Sequence, residues 1–426
     1  MPDSSQLRVA ELFAGVGGFR LGLEASGWQV VWSNQWEPST KAQHASACYV
    51  ERFGDDGHVC DDIAKVVGSE PSEGLPDFEL LVGGFPCQDY SVAKPLSQAE
   101  GIQGKKGVLW WSIYDMLVLR RPPFVLLENV DRLLKSPSTQ RGRDFGIILS
   151  CLAQLGYVAE WRVINAAEYG FPQRRRRVFL YAHRLDHCGY RWQPVRRIFK
   201  DGVMARALPV STPESEGPET EGQHPAAPDF ELDANPYVVS ETFGRGKRLS
   251  PFLNAGVMVE GRVWTRRVVP DYDGPFATLG DIVGETQHVP ESYFVSGDKA
   301  ARWAYLKGPK SEPRVDKKTG HEYNYSEGGM AFPDPLDRPA RTILTGEGGT
   351  SASRFKHIIE DPATGRLRRL VPEELEALNG FPRGWTATGM SDGRRAFMMG
   401  NALVVGIVER IGAEIKKDAE ACLSEG

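Results

Sequence analysis

The chain has 426 residues, 25% of them charged and 41% hydrophobic, with a formal net charge of -5. That length buries the core of two or three domains without help from disulfides, and the composition excludes a wholly disordered or fibrous protein. No apolar run reaches the about 18 residues of a membrane helix. MPDSSQLRVAELF lacks the basic-then-apolar pattern of a secretion signal, and the six cysteines include no C-x-x-C pair. A reducing, cytoplasmic setting is predicted, with no membrane contact, no disulfide framework and no metal site.

Over residues 1–185 short apolar runs alternate with helical patterns, which predicts an α/β domain of βαβ units on a parallel sheet. LRVAEL leads into a glycine loop and the amphipathic FRLGLEASG, VVW into NQWE, FELLV into GGFPCQ, and FVLL into ENV. YVAEWRVIN and RVFLYAH read as two further strands. Four times the unusual polar residues come straight after a strand. Ligands of open α/β sheets bind beyond the carboxyl ends of the strands, so these segments predict one composite site. Residues 171–207 hold ten basic residues against two acids, the footprint of a phosphate-contacting face or of a solvated basic surface. Residues 209–236 carry six prolines among Glu, Gly, Ser and Thr and predict a mobile linker. From there to about 335, isolated aromatics, Gly and Pro without helical period predict a small irregular or β-rich domain. VPEELEALNGF is a helix stopped by Asn379-Gly380 and Pro382. NALVVGIVERIGAEIKK is the strongest amphipathic helix, with Leu403, Ile407, Ile411 and Ile415 at i+4 spacing.

Four segments carry candidate chemistry. Phe13-Ala14-Gly15-Val16-Gly17-Gly18 lets backbone amides approach a ligand at a helix N-terminus, but has neither the Lys-Ser/Thr of a phosphate loop nor a full G-x-G-x-x-G; a plain tight turn is the alternative. Trp36 and Glu37 follow the second strand, roughly 20 residues on, where such a site places its ribose-binding acid. Cys87 sits in Gly83-Gly84-Phe85-Pro86-Cys87-Gln88, a punctuated loop that presents a thiol; the other five cysteines read as buried and inert. Glu128 ends an apolar strand, where desolvation favours acid–base work, with a structural ion pair or helix cap as the alternative. Arg174 to Arg177 straddle a strand start, so alternate arginines face opposite sides. His183, His187 and Cys188 have a superficially metal-like spacing with no carboxylate or second thiol beside them.

Together these segments resemble the DNA (cytosine-5)-methyltransferase family. FAGVGG is similar to its cofactor loop, GGFPCQ to its nucleophile loop, ENV to its acid motif and QRRRRVF to its Q-x-R-x-R motif. RLRRLVPEELEALNGFP and MGNALVV are similar to its two C-terminal motifs. Order and spacing agree over residues 1–185 and 338–426. The resemblance implies a Rossmann-like S-adenosylmethionine methyltransferase sheet built from 1–185 and 338–426. The end of the chain returns to its beginning, and a smaller target-recognition domain, 186–337, is inserted.

It also implies the chemistry. Cys87 adds to cytosine C6 while Glu128 hydrogen-bonds or protonates N3, on a base flipped out of duplex DNA. Arg175 and Arg177 hold the base and the catalytic loop, and a base or a water removes the C5 proton. For the cofactor the resemblance implies Phe13 with the 14–18 backbone, Trp36 against the adenine, and Asp62-Ile63 at its edge. Pro86, Leu109, Asn401 and Ala402 make further contacts. Gln35 stands where many relatives carry an acid, so Gln35 or Glu37 is left to hold the ribose; Ala402 stands where serine is common. Gln88, Ser91, Arg174 and Arg176 are the implied DNA contacts. A monomer, with a cognate restriction or defence system, is expected. An RNA methyltransferase could share these motifs, but the roughly 150-residue recognition segment favours duplex DNA. A non-catalytic DNA-binding regulator would lack Cys87 or Glu128, and a thiol-dependent oxidoreductase would not explain ENV, QRRRR and GNALVV in order.

Overall fold

The computed structural model describes residues 7–68, 75–85, 109–187, 193–216, 227–316 and 319–424. Two compact units account for them. The first comprises residues 1–169, 176–274 and 405–426, the second 170–175 and 275–404.

The first unit is built on a twisted sheet. Its strands are β1 (Arg8–Leu12), β2 (Gln29–Asn34), β3 (His58–Val59), β4 (Leu80–Gly84), β5 (Phe124–Val130), β6 (Tyr157–Asn165) and β7 (Arg176–Arg184). They lie in the order β3-β2-β1-β4-β5-β7-β6, continued by Ala255–Val259, Arg262–Arg266 and Phe230–Glu231. β1 to β5 are parallel, and their apolar runs are buried as strands covered on both faces must be. Helices α1 (Gly18–Ala25), α2 (His44–Phe53), α3 (Ile63–Gly68), α4 (Leu109–Arg120) and α5 (Arg143–Gln154) form the crossovers.

The all-parallel expectation fails at β7, which pairs antiparallel with both β5 and β6. Only residues 166–175 separate β6 from β7, fewer than the dozen or more that a parallel crossover needs. The consequence is functional: β7 begins at the same sheet edge where β1, β4 and β5 end.

The units also divide the chain differently from the predicted boundaries at 185 and 337. Ala255–Val259 pairs with β6 and carries the sheet onward, so much of 186–274 belongs with the first unit. Residues 338–404 pack with 275–337, through a bridge of Phe294 with Arg368 and a hydrogen bond from the Tyr293 hydroxyl to Asp392 (2.6 Å). Buried ion pairs reinforce that unit: Arg368 with Asp361 and Glu374, and Lys307 with Asp334.

Only the last helix, Val405–Ser424, returns to the N-terminal strands. It packs on α1 so closely that a Cβ on Gly22 would lie 2.8 Å from the Val405 carbonyl oxygen, and the Trp28 indole donates to the Gly412 carbonyl at 2.9 Å. The longer stretch Asp392–Cys422 is long and apolar enough to span a bilayer by length and composition, contrary to expectation, but 61% of its apolar 18-residue window is buried inside the protein, as in a core helix.

The proline-rich segment is ordered at its flanks. Val210–Ser211 pairs with Val269–Pro270, and Phe230–Glu231 with Arg262 and Val263; residues 217–226 lie outside the described residues. Four arginines of the basic stretch are paired with acids, two within the stretch itself and the others elsewhere in the unit. Arg184 pairs with Asp186 (2.8 Å), Arg196 with Asp201 (2.5 Å) and Arg197 with Glu160 of β6 (2.9 Å). Arg206 pairs with Glu414 (2.9 Å) and Asp418 (2.5 Å) of the last helix. The phosphate-face reading of these four arginines therefore gives way to a structural one. The cysteines also differ from expectation: Cys48 and Cys151 are buried, Cys60 is exposed, and Cys422 is disulfide-bonded.

Candidate active site

At the edge where β1, β4 and β5 end, short residues leave room for a ligand. β1 passes into the glycine loop with Phe13 (φ 56), Gly15 (φ 58) and Gly17 (φ 88) all in the left-handed region. Gly17 caps α1, and a Cβ there would strike the Phe53 ring at 2.3 Å, so only glycine fits. At Gly15 the nearest atom to such a Cβ is the Phe13 carbonyl oxygen at 4.0 Å. The space beside it is open. Ala14, Val16, Gly17 and Gly18 are buried and Phe13 half-buried.

The loop is held from β2. The Gly15 N–H donates to Oε1 of buried Gln35 at 2.7 Å, and the Ala14 N–H to the Asn34 carbonyl at 3.0 Å. Gln35, offered as a ribose ligand, thus shapes the loop. Glu37, the alternative, accepts from the Ala45 N–H at the start of α2 (3.1 Å). Between them Trp36 is 37% exposed, with the Lys65 ammonium 5.9 Å from its ring centre, so a ring face is available. Asp62 caps α3 through the Ala64 N–H (3.1 Å), and Ile63 is buried. Leu109 begins α4 and packs on the core.

β4 ends in Gly83-Gly84, and Gly84 is in register with Glu128 of β5. A Cβ on Gly84 would lie 3.4 Å from the Glu128 carboxylate, so the acid lies within van der Waals reach of this strand end. Arg177 enters from β7, two positions from the pairing of Glu128 with Phe179, and forms an ion pair with its Nε 2.8 Å from Glu128 Oε1. Both side chains are mostly shielded yet not sealed, 17% and 12% exposed. The geometry makes Glu128 an oriented carboxylate with its other oxygen unspent by Arg177. Next to it, the Asn129 amide donates to the Phe85 carbonyl at 2.9 Å. That bond anchors the last described residue before the segment Pro86, Cys87, Gln88 and Ser91, all four of which lie outside the described residues.

The arginine quartet alternates as expected, with Arg174 and Arg176 exposed, Arg175 buried and Arg177 half-buried. Arg176 pairs with Asp131 at 2.9 Å. Arg175 belongs to the second unit, where its guanidinium donates to the carbonyls of Ile343 (3.3 Å) and Gly400 (3.0 Å). It ties backbone together there. Asn401 and Ala402 also lie in the second unit, at the end of the helix Asp392–Asn401. His183 is buried beside Tyr181, and burial pushes its pKa down to about 3, so it stays neutral.

One group behind the site has no counterpart among the sequence-predicted residues. Glu11, the β1 residue just before Leu12 and Phe13, is fully buried and accepts from the Tyr49 hydroxyl at 3.0 Å. Burial, opposed by Tyr49 and Arg20, pushes its pKa up to about 8. An acid inside an apolar strand is the available signal; nothing local names Tyr49 of α2 as its partner.

Comparison with known proteins agrees with this geometry. The family model for C-5 cytosine-specific DNA methylases matches residues 7–220 and 277–417. The type II methyltransferase M.Sau3AI of Staphylococcus aureus is 44% identical over 420 residues, 97% of this chain and 96% of that one. M.HhaI of Haemophilus parahaemolyticus is 32% identical over 180 residues, 42% of this chain and 50% of its own. Among solved structures, the Dnmt2 methyltransferase of S. pombe shares the fold, with a TM-score of 0.56 at 15% identity and coverage of 98% and 99%. With the glycine loop, the carboxylate and its arginine gathered at one sheet edge, and a relative matching nearly end to end, the chain belongs to the C-5 cytosine-specific DNA methylase family.

Proposed function

We propose that this DNA cytosine methyltransferase is the modification enzyme of a type II restriction system, a cytoplasmic monomer that converts one cytosine of a specific duplex site to 5-methylcytosine. The observation that carries the mechanism is the Glu128–Arg177 pair at 2.8 Å beside the glycine loop. Bound S-adenosylmethionine supplies an electrophilic methyl group. The residues present suit that group: Phe13 with the 14–18 backbone, where the space beside Gly15 is open, and the exposed Trp36 face. Gln35 supports the holding loop from behind. Pro86, Leu109, Asn401 and Ala402 are assigned to it by family likeness.

The Cys87 thiolate adds to C6 of the flipped cytosine, forming a C–S bond and pushing electron density onto N3. Glu128 holds a proton at N3, and Arg177 fixes the carboxylate's orientation. C5, now enamine-like, would take the methyl group as the sulfonium S–CH3 bond breaks and S-adenosylhomocysteine departs as the leaving group. A base or water then removes the C5 proton, and Cys87 leaves with its electron pair, restoring the C5–C6 double bond. Gln88, Ser91, Arg174 and Arg176 contact DNA, and Arg175 supports the chain from which Arg177 extends. Purified protein given methyl-labelled S-adenosylmethionine and duplex DNA is expected to yield 5-methylcytosine, and on 5-fluorocytosine duplex a stable protein–DNA adduct. N4-methylcytosine or N6-methyladenine as product would overturn the reading.

A further inference from the structure

Within the second unit lies a mostly exposed two-stranded ribbon. Lys310–Val315 pairs antiparallel with Glu322–Glu327, with Pro313 opposite Asn324 and Arg314 opposite Tyr323. Its base is riveted. Lys310 and Arg354 both reach Glu327 (3.3 and 3.1 Å), and Arg354 also donates to the carbonyls of Leu306 (3.3 Å) and Gly308 (3.4 Å). Beyond the base, Pro313 to Val315 and Glu322 to Asn324 are exposed throughout. A lone two-stranded ribbon is at best marginally stable in water, so this one relies on the anchors at its base.

The two faces of the ribbon differ. Alternation places Lys310, Glu312, Arg314, Tyr323, Tyr325 and Glu327 on one face. That face is satisfied from within: Glu312 accepts from the Tyr305 hydroxyl (3.1 Å), Lys310 meets Glu327, and the Arg314 guanidinium lies 3.6 Å from the Tyr325 ring centre. The opposite face carries Ser311, Pro313, Val315, Asn324 and Ser326 with a single acid, Glu322. All six are exposed, and the side chains of Ser311, Asn324 and Ser326 make no hydrogen bond among the described residues. Beside the ribbon, the helix Gly297–Lys307 exposes Lys299 and Arg302, which carry no ion pair among the described residues and are available to an anionic backbone.

We propose that the Ser311–Asn324 face of this ribbon enters the DNA major groove and sets the enzyme's sequence preference, with Asn324 reading a base edge. This rests on the DNA-modifying function above. The shape fits, because the major groove admits a two-stranded ribbon. The chemistry fits as well. An Asn amide pairs bidentately with adenine N6 and N7, Ser hydroxyls donate or accept, and Val315 and Pro313 offer apolar contact to a thymine methyl. A face with a single charge, beside a helix that exposes Lys299 and Arg302, can read bases while those cations meet phosphates.

The test compares the full-length enzyme with Asn324→Ala and Val315→Ala on a duplex library randomised around cytosine, methylated in vitro and read by bisulfite sequencing. Thermal melting by circular dichroism checks that each variant folds. Relaxed preference at one or two base pairs, by about 10- to 100-fold and with other positions unchanged, is the expected result. Uniformly weaker methylation with unchanged preference would make the ribbon a phosphate contact and overturn the proposal. Unchanged rate and preference would also overturn it, and leave the surface to a protein partner. Failure of the unaltered enzyme to make 5-methylcytosine would instead overturn the function itself.

Discussion

The sheet edge at Glu128 and the arginine-rich stretch 184–206 both set guanidinium groups against carboxylates, yet they do different work. At the edge, Arg177 meets Glu128 beside two glycines and an open loop, and both side chains keep some exposure. In the stretch, Arg197 meets Glu160, itself only 2% exposed, and Arg206 bridges to the last helix. The first pair orients a reactive group, whereas the second kind holds secondary elements together. A count of charges along the chain does not separate them; the location of the partner does.

The comparison breaks most visibly at the chemistry. Cys87→Ser is expected to abolish methylation and the 5-fluorocytosine adduct while DNA binding persists, since phosphate contacts do not need the sulfur. Glu128→Gln keeps a hydrogen-bonding side chain but cannot deliver a proton, and is expected to slow turnover by about 10²- to 10⁴-fold without loss of fold. An adduct at full yield from Cys87→Ser would place the nucleophile elsewhere.

Arg197→Ala should show the opposite pattern. It strands a buried Glu160, so stability is expected to fall by about 3–5 kcal/mol in urea denaturation, with the turnover of the folded fraction unchanged. A fall in turnover at equal stability would extend the site into this stretch.

Glu11 gives the intermediate case, a carboxyl next to the site whose effect is on stability. Its pKa of about 8 in the folded protein lies above its ordinary 4.5. Between those values the folded state holds a proton that the unfolded state has lost, so stability is fully present at the acid end and declines as pH rises. The slope is about 1.4 kcal/mol per pH unit and ends above about pH 8. Glu11→Gln is expected to flatten that slope in denaturation measured from pH 5.5 to 8. An unaltered slope would assign the titration to another group.

The smallest effect is expected from Arg196→Ala. The exposed pair with Asp201 contributes at most about 1 kcal/mol, and the logarithmic salt dependence of DNA binding should not change. Had Arg196 met a phosphate, its loss would reduce that slope by about 1.

Much of the site is legible in the amino-acid sequence. The glycine loop, GGFPCQ, ENV and QRRRR each follow or open a strand, and continuous apolar runs end where polar residues begin, so one shared edge follows from the rule that ligands bind beyond the strands' carboxyl ends. The in–out alternation of Arg174 to Arg177 is legible for the same reason. The ordered motifs also carry the family likeness. What escapes are the partners: Tyr49 for Glu11, the glycine loop for Gln35, the Ile343 and Gly400 carbonyls for Arg175. Each is remote in sequence, and no local pattern encodes which helix or loop will cover a buried polar group.

What the amino-acid sequence determined by itself is therefore local: which residues form strands, where the chain must turn through glycine, and which side chains bear reactive groups. These follow from short-range sterics and side-chain periodicity. The tertiary structure alone decided that β7 runs antiparallel and so brings Arg177 to Glu128, and that residues 338–404 join 275–337 while the last helix returns to α1. It also decided that Arg184, Arg196, Arg197 and Arg206 are taken up by ion pairs. Those outcomes depend on which distant surfaces can bury their apolar faces and satisfy their charges together, a property of the whole packing that no window of sequence contains.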